Sequence, residues 1–299
     1  MEQTNWQATT ADAAHHIRKR VLGLTIEKNG CYLSQALSSA DIFAALYTKI
    51  MRLGPSKGSM IPHTLKGLPG QHGDYETGGV YHGEKSPDTD RLLVSPSHYA
   101  VAVYAALVES GRLAPESLAQ FNTDGSRLEM IGAEHSPGFE LTTGSFGQCI
   151  SQAGGIAYAR KLRGETGRVF VFLSDGELQE GQTWEAVQSM AFFKTDNIVI
   201  FVDVNGQQVD GYTKDVMNIE PIDARFTAFG AKCVKVDGHD LDALYEATLQ
   251  GEAGKPLVIL CYTDSCRGLP ILAQRKPKLH YVRLREDELA EYREFYANM

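Results

Sequence analysis

The stretch VFLSDGELQEGQTWEAVQSMAFFKTDNIVIFVDVN, Val171 to Asn205, holds two apolar runs around a helix-like segment. The first run closes on Asp175, the second on Asn205, thirty residues later. Neither run alternates polar with apolar residues, so each strand meets apolar surroundings on both faces. That is the signature of a parallel sheet covered on both sides. Loops at the carboxyl ends of such strands form the ligand crevice. The sequence thus places a carboxylate and a carboxamide at its mouth.

The alternation continues outward. IDARFTAFG reads as a helix, AKCVKVD as a strand, DLDALYEATLQ as a helix and KPLVILCYT as a strand. Upstream, LTTGSFGQCISQAGGIAYARKL reads as a Gly-rich turn entering a helix, and HYAVAVYAALVESG as another helix, with a short one near Pro115. TTADAAHHIRKRVLGLTIEKNG predicts a helix capped by Thr10 or Asp12, with Ala14, Ile17, Val21 and Leu24 on one face and Gly30 at its end. SADIFAALYTKIM predicts a second helix. Residues 52–91, rich in Gly, Pro, His and Ser, predict one long loop. EDELAEYREFYANM predicts a charged helical tail. The fold class is α/β, a doubly wound, mostly parallel sheet with helices on both faces. No boundary interrupts it, so residues 1–299 read as a single domain.

Composition narrows the function classes. The chain has 299 residues, 43 % hydrophobic and 22 % charged, with net charge −8. No basic run exceeds Arg18–Lys19–Arg20, which argues against nucleic acid as a partner. No apolar run approaches the ~20 residues of a membrane span. The opening MEQTNWQATT lacks the pattern of a secretion signal. Cys31, Cys149, Cys233, Cys261 and Cys266 are odd in number and scattered, as in a reduced, cytoplasmic protein.

Asp175, Asn205 and a backbone carbonyl near Gln207 are hard oxygen ligands, suited to Mg²⁺ or Ca²⁺. Gly176 permits close approach of a phosphate, and the helix that follows offers its N-terminus to negative charge. Asp and Asn at these positions also suit turns and caps. No G-x-x-x-x-G-K-[ST] is present, nor a G-x-G-x-x-G after a strand, which weakens P-loop and dinucleotide readings.

LSDGELQEG and VDVNGQQVDG together resemble the thiamine-diphosphate signature of transketolases, a Gly-Asp-Gly closed by Asn some thirty residues on, with Ser174 in place of the first Gly. DRLLVSPSHYAVAVYAAL, SPGFELTTGSFGQ, FGAKCVKVDGHDLDAL and RKPKLHYVRL resemble further family segments, in order along nearly the whole chain. The resemblance implies that Asp175, Asn205 and the backbone at Gln207 hold the metal on the diphosphate. Gly176 and Glu177 would lie beside the phosphates, and Gly144, Ser145 and Phe146 against the cofactor. His98 and His280 would face the diphosphate or the reacting sugar oxygens, and His135 lies near a third catalytic position. Glu180 matches an interface residue. His239 reads as a turn and capping element, and His15 and His16 as surface residues.

Two departures stand out. Where the family carries a substrate-contacting His, KNGCYLSQALSSADI offers Cys31 or Tyr32, according to register. A Tyr can donate a hydrogen bond but cannot take a proton at neutral pH. The chain also resembles only the first half of a full transketolase. The resemblance therefore implies a separate partner subunit carrying the pyrimidine-binding domain, an α2β2 assembly, and transfer of a two-carbon ketol unit between small sugars. Acyl transfer of the deoxyxylulose-phosphate synthase type, or a non-catalytic cofactor-binding subunit, is the alternative.

Overall fold

A computed structural model describes residues 5–67 and 75–299. Five parallel strands form the sheet, in the order β1-β2-β3-β7-β6: β1 (Arg91–Val94), β2 (Val169–Ser174), β3 (Ile198–Val204), β6 (Lys232–Asp237) and β7 (Leu257–Tyr262). A small antiparallel hairpin, β4 (Gln207–Gln208) and β5 (Gly211–Tyr212), follows β3. A parallel sheet with helices on both faces is the α/β architecture expected from the sequence.

Strand periodicity explains the two cores. Successive side chains of a strand point to opposite faces. Phe170 and Phe172 of β2, Val199 and Phe201 of β3, and Leu257 and Ile259 of β7 face one core. Helices α1 (Trp6–Lys28), α2 (Leu33–Ala45), α3 (Ala100–Glu109) and α8 (Leu241–Ala247) pack there. Val169, Val171, Leu173, Ile200, Val202 and Val258 face the other, under α4 (Gln148–Leu162), α5 (Gly181–Phe192) and α7 (Ile222–Ala228). A short α6 (Thr213–Met217) follows the hairpin, and α9 (Leu289–Asn298) packs back on α1 through buried Tyr292.

Several boundaries differ from expectation. The cap of α1 is Asn5, whose side chain accepts from the Ala8 N–H, not Thr10 or Asp12. The helix starts earlier because Trp6 packs on Tyr245, and Thr10 is buried against Thr48 instead. It ends on Asn29, in the left-handed region at φ 51°. Helix α2 begins at Leu33, well before Ser39. Its serines look loop-like in sequence, yet Ser39 satisfies its hydroxyl on the Gln35 carbonyl within the buried helix and Ser38 satisfies its own on the Asp203 carboxylate. The 52–91 segment is not all loop: Gly78–His82 form a 3-10 turn and Arg91 opens β1, a strand the sequence reading missed. Part of that segment, 68–74, lies outside the described residues. His15 and His16 lie partly exposed on α1, the His16 side chain 42% exposed.

Phe172 sits at the centre of the first core, 4.6 Å from Phe43 and 5.0 Å from Tyr99 between ring centroids. Phe172→Ala is expected to cost about 4 kcal/mol. A shift of the urea midpoint equivalent to less than about 1 kcal/mol would contradict this placement.

Candidate functional site

Asp175 lies one residue past β2 and Asn205 one past β3, so adjacent strands deliver them to the same edge of the sheet. The two loops are tied together: the Gly206 N–H donates to Asp175 Oδ2 (2.9 Å), as does Thr213 Oγ1 (3.1 Å), and Gly176 N–H donates to Oδ1 (2.9 Å). Asn205 is oriented from below by Asp203, a fully buried carboxylate. Asn205 Nδ2 donates to Asp203 Oδ2 (2.9 Å), which also accepts from Ser38 (2.6 Å) and Tyr99 (2.8 Å), while Thr263 donates to Oδ1. Fixing the amide nitrogen on Asp203 turns Oδ1 away from it, where the Gln207 N–H is 2.9 Å off. That oxygen keeps a second lone pair.

Burial, reinforced by Asp203, pushes Asp175 from 3.8 up to about 7. Glu177 is buried under the next turn and accepts from Ser95 and from the Gly147 N–H (2.9 Å), yet burial still raises it from 4.5 to about 7. Glu177 thereby fastens the Gly144–Gly147 turn to β2. Gly144 tolerates no side chain: its φ is +103° and a Cβ would stand 2.4 Å from Ser97 Oγ. Phe146, beyond it, is partly exposed with its ring 6.1 Å from that of His98. Ser145 is exposed in the same turn.

His98 and His280 meet, ring centroids 4.8 Å apart. Burial lowers His98 to about 3 and lowers His280 as well, so both are neutral at pH 7. Gln35 Nε2 donates to His280 Nδ1 (3.0 Å) and to its carbonyl (2.9 Å). An amide N–H can only donate, so the neutral ring carries its proton on Nε2. Of the two residues left open at the end of α1, Tyr32 is the one beside the imidazoles: its ring lies 5.0 Å from His98 and 5.4 Å from His280, while Cys31 is fully buried.

A cavity of about 210 Å³ joins Gln35, His98, Phe146, Gly176, Asn205 and His280. A second, of about 600 Å³, lies across the Asn205 loop against Asp175, His239 and Thr263. Asn205 and Gln207 line both. His135 has a different neighbour: its Nε2 lies 3.1 Å from Glu129, and it lines neither cavity. Glu180 is exposed at the start of α5, on the rim of the smaller one. His239 does not cap a helix; Asp240 does. His239 instead bridges Asp41 (2.7 Å) and the Asp264 N–H (2.8 Å), tying α2 to the exit of β7.

The pattern of transketolase, thiamine diphosphate binding domain, matches residues 81–298. The chain belongs to the transketolase family. It is 31% identical over 281 residues to the 6-deoxy-6-sulfo-D-fructose transketolase subunit of a Clostridium species, covering 92% of this chain and 91% of that one. It is 33% identical over 207 residues to an apulose-4-phosphate transketolase subunit of Actinobacillus succinogenes, covering 68% and 74%. Among solved structures, Pichia stipitis transketolase superposes with a TM-score of 0.76 at 24% identity, over 96% of this chain and 40% of that one. Campylobacter jejuni transketolase gives 0.76 at 22%, over 97% and 43%. This transketolase domain thus spans about two fifths of the solved enzymes. Among the described residues no helix is long and apolar enough to cross a membrane.

Sequence reasoning missed Asp203, Gln35, Ser95, Tyr99 and Thr213. Asp203 carried a signal: a lone acid in a fully apolar strand is buried and must be satisfied. The others are ordinary polar residues whose role depends on distant partners.

Glu177 gives a pH test. Its folded value exceeds its ordinary one, so its contribution to stability is present below about pH 4.5 and is lost as pH rises through about 7. Cofactor-free Glu177→Gln should therefore melt higher than the parent chain at pH 8, with the gap closing towards pH 5. Equal differences at both pH values would refute the assignment.

Proposed function

We propose that this chain is the cofactor-anchoring, N-terminal subunit of a two-subunit thiamine-diphosphate-dependent transketolase that moves a two-carbon ketol unit from a ketose to an aldose acceptor. The observation that carries it is the pair Asp175 and Asn205, locked together at neighbouring strand ends beside two neutral imidazoles. The chain matches most of the length of relatives named as subunits, but only two fifths of the solved enzymes. A separate partner would supply the pyrimidine-binding domain, in an α2β2 assembly. Both relatives are named for sugars bearing a sulfonate or phosphate, and we extend an anionic ketose to this chain. Five free cysteines fit a cytoplasmic setting.

The donor set fits the cofactor's metal. The Asp175 carboxylate, Asn205 Oδ1 and the Gln207 main-chain carbonyl are hard oxygens that would hold Mg²⁺ or Ca²⁺, and a dication beside Asp175 reverses the balance that raises its carboxyl. Gly176 leaves room at the turn, where a Cβ would already crowd Gln208 at 3.3 Å. Phe146 lines the opposing wall, on the Gly144–Gly147 turn that Glu177 holds from beneath. When bound, thiamine diphosphate supplies the nucleophilic carbon and electron sink of ketol transfer. His280 presents Nε2–H to oxygen on which negative charge develops, and Gln35 prevents the ring from turning. His98, also neutral, accepts or donates at the same oxygens. Glu180 would face the partner. His135, held on Glu129, takes no part in this reading.

The test uses the complex purified from its own cells. Calorimetry should show saturable thiamine diphosphate binding that requires Mg²⁺, and Asp175→Ala should weaken it about a hundredfold or more with the circular dichroism spectrum unchanged. His280→Ala should retain the cofactor and slow turnover about a hundredfold. Unchanged affinity in the first variant, or a parental rate in the second, would remove those roles. Release of CO₂ from pyruvate without ketol transfer from hydroxypyruvate would move the function to acyl transfer. Cofactor binding without turnover of either would leave a non-catalytic subunit.

A further inference from the structure

From the two imidazoles a ladder of rings runs outward to solvent. Tyr32 packs on His98 and His280, Tyr281 packs edge-on against Tyr32 at 5.2 Å, and the Arg283 guanidinium stands 5.9 Å from the centre of the Tyr281 ring. Two features fix the ladder. Cys31 and Val282 exchange both main-chain hydrogen bonds, at 3.1 and 2.9 Å, which sets their neighbours Tyr32 and Tyr281 side by side. Gly30 lies under Tyr281, with φ +150° and a hypothetical Cβ 2.4 Å from the phenol oxygen, so any side chain there would displace the ring.

Charge points the same way. Between Asp264 and Glu286 the sequence holds Arg267, Arg275, Lys276, Lys278, Arg283 and Arg285 and no acid, in a chain of net charge −8. Arg275 pairs with Glu288, and Arg285 with Asp287 and Glu288. Lys276 lies 3.9 Å from Asp264. Among the described residues no carboxylate pairs with Arg283; its side chain rests against the face of Tyr281. A guanidinium resting on a ring keeps its planar fork of donors for a tetrahedral or planar anion. The surrounding cations would steer such an anion to it.

We propose that Tyr32, Tyr281 and Arg283 are the substrate-recognition residues of this chain: the two rings lie along the carbon chain of the ketose beyond the atoms met by His98 and His280, and Arg283 takes its terminal anionic group, a phosphate or a sulfonate. This rests on the transketolase reading above. Specificity is then set in part by this chain, at the position where the family's usual histidine is absent. Tyr32 keeps its O–H as a donor to a sugar hydroxyl and offers an apolar face to its C–H groups. Arg283 supplies a bidentate contact that an uncharged sugar cannot use.

The experiment compares Arg283→Gln, Lys278→Gln and Tyr32→Leu in the purified complex, with fructose 6-phosphate, 6-deoxy-6-sulfofructose and fructose as donors. Lys278 is exposed in the same segment but touches no ring of the ladder among the described contacts, so it controls for general charge. Arg283→Gln should raise KM for the charged donor at least about tenfold, with kcat little changed and fructose unaffected. Lys278→Gln should leave that ratio in place. Tyr32→Leu should raise KM for charged and uncharged donors alike. The charged donor that loses most to Arg283→Gln identifies phosphate or sulfonate as the group read. Equal effects of the two charge variants, an Arg283→Gln effect shared by fructose, or no effect of Tyr32→Leu would overturn the proposal. Calorimetry with thiamine diphosphate and Mg²⁺ on the same samples keeps the two readings apart. If the parent complex binds no cofactor, the transketolase reading fails and this proposal falls with it. If it binds normally and turns over, only the assignment of the ladder is in question.

Discussion

The site depends on one buried carboxylate. Asp203 points into the first core from the end of the central strand and is closed off from water. Four donors converge on it: Ser38 from α2, Tyr99 from the turn after β1, Asn205 from the residue past β3 and Thr263 from the residue past β7. Burying a charge is unfavourable unless such donors replace its water. The elements around the crevice are therefore obliged to meet at one point. Asn205 inherits its orientation from this arrangement, and the geometry of the crevice follows from that of the Asp203 shell.

Asp175 and Glu177 extend the same theme. Three buried acids lie at the carboxyl edge of the sheet, with hydrogen-bond donors rather than cations as their partners. The local electrostatics are unfavourable to folding alone and favourable to receiving a metal ion, a common trade at functional sites. The imidazoles show the opposite bias. Burial keeps His98 and His280 uncharged, and the Gln35 contact selects one tautomer. Anion-rich and neutral halves of the crevice thus lie on either side of Asn205.

Much of this was legible in the sequence. The long apolar runs of β2, β3 and β7 are buried on both faces, so their patterns read without ambiguity. Edge strand β1 has only four residues, too few for a periodic signal beside the helix that follows. Helix α2 hid its start behind serines that look like turn formers until their hydroxyls find partners: Ser34 on the Leu279 carbonyl, Ser38 on Asp203 and Ser39 on the Gln35 carbonyl. Residues at strand ends, Asp175 and Asn205, could be placed by position. Those whose importance comes from partners far along the chain could not: Gln35 meets His280, and Ser95 meets Glu177. His135 lies apart from His98 and His280, beside Glu129, although the sequence sets it next to the SPG turn.

The strand order carries a consequence for biosynthesis. Strand β7 lies between β3 and β6 although it is the last of the five to be made. Until Leu257–Tyr262 arrives, β3 keeps one open edge, a run of seven residues buried in the finished fold, and β6 has no neighbour in the sheet. Such an edge is a template for pairing with another chain. A nascent or truncated product that stops short of β7 would also leave Asp203 without its Thr263 donor. Solubility during synthesis is thereby governed by the interval between the completion of β3 and the insertion of β7, a window in which chaperone capture or co-translational contacts would have their greatest effect.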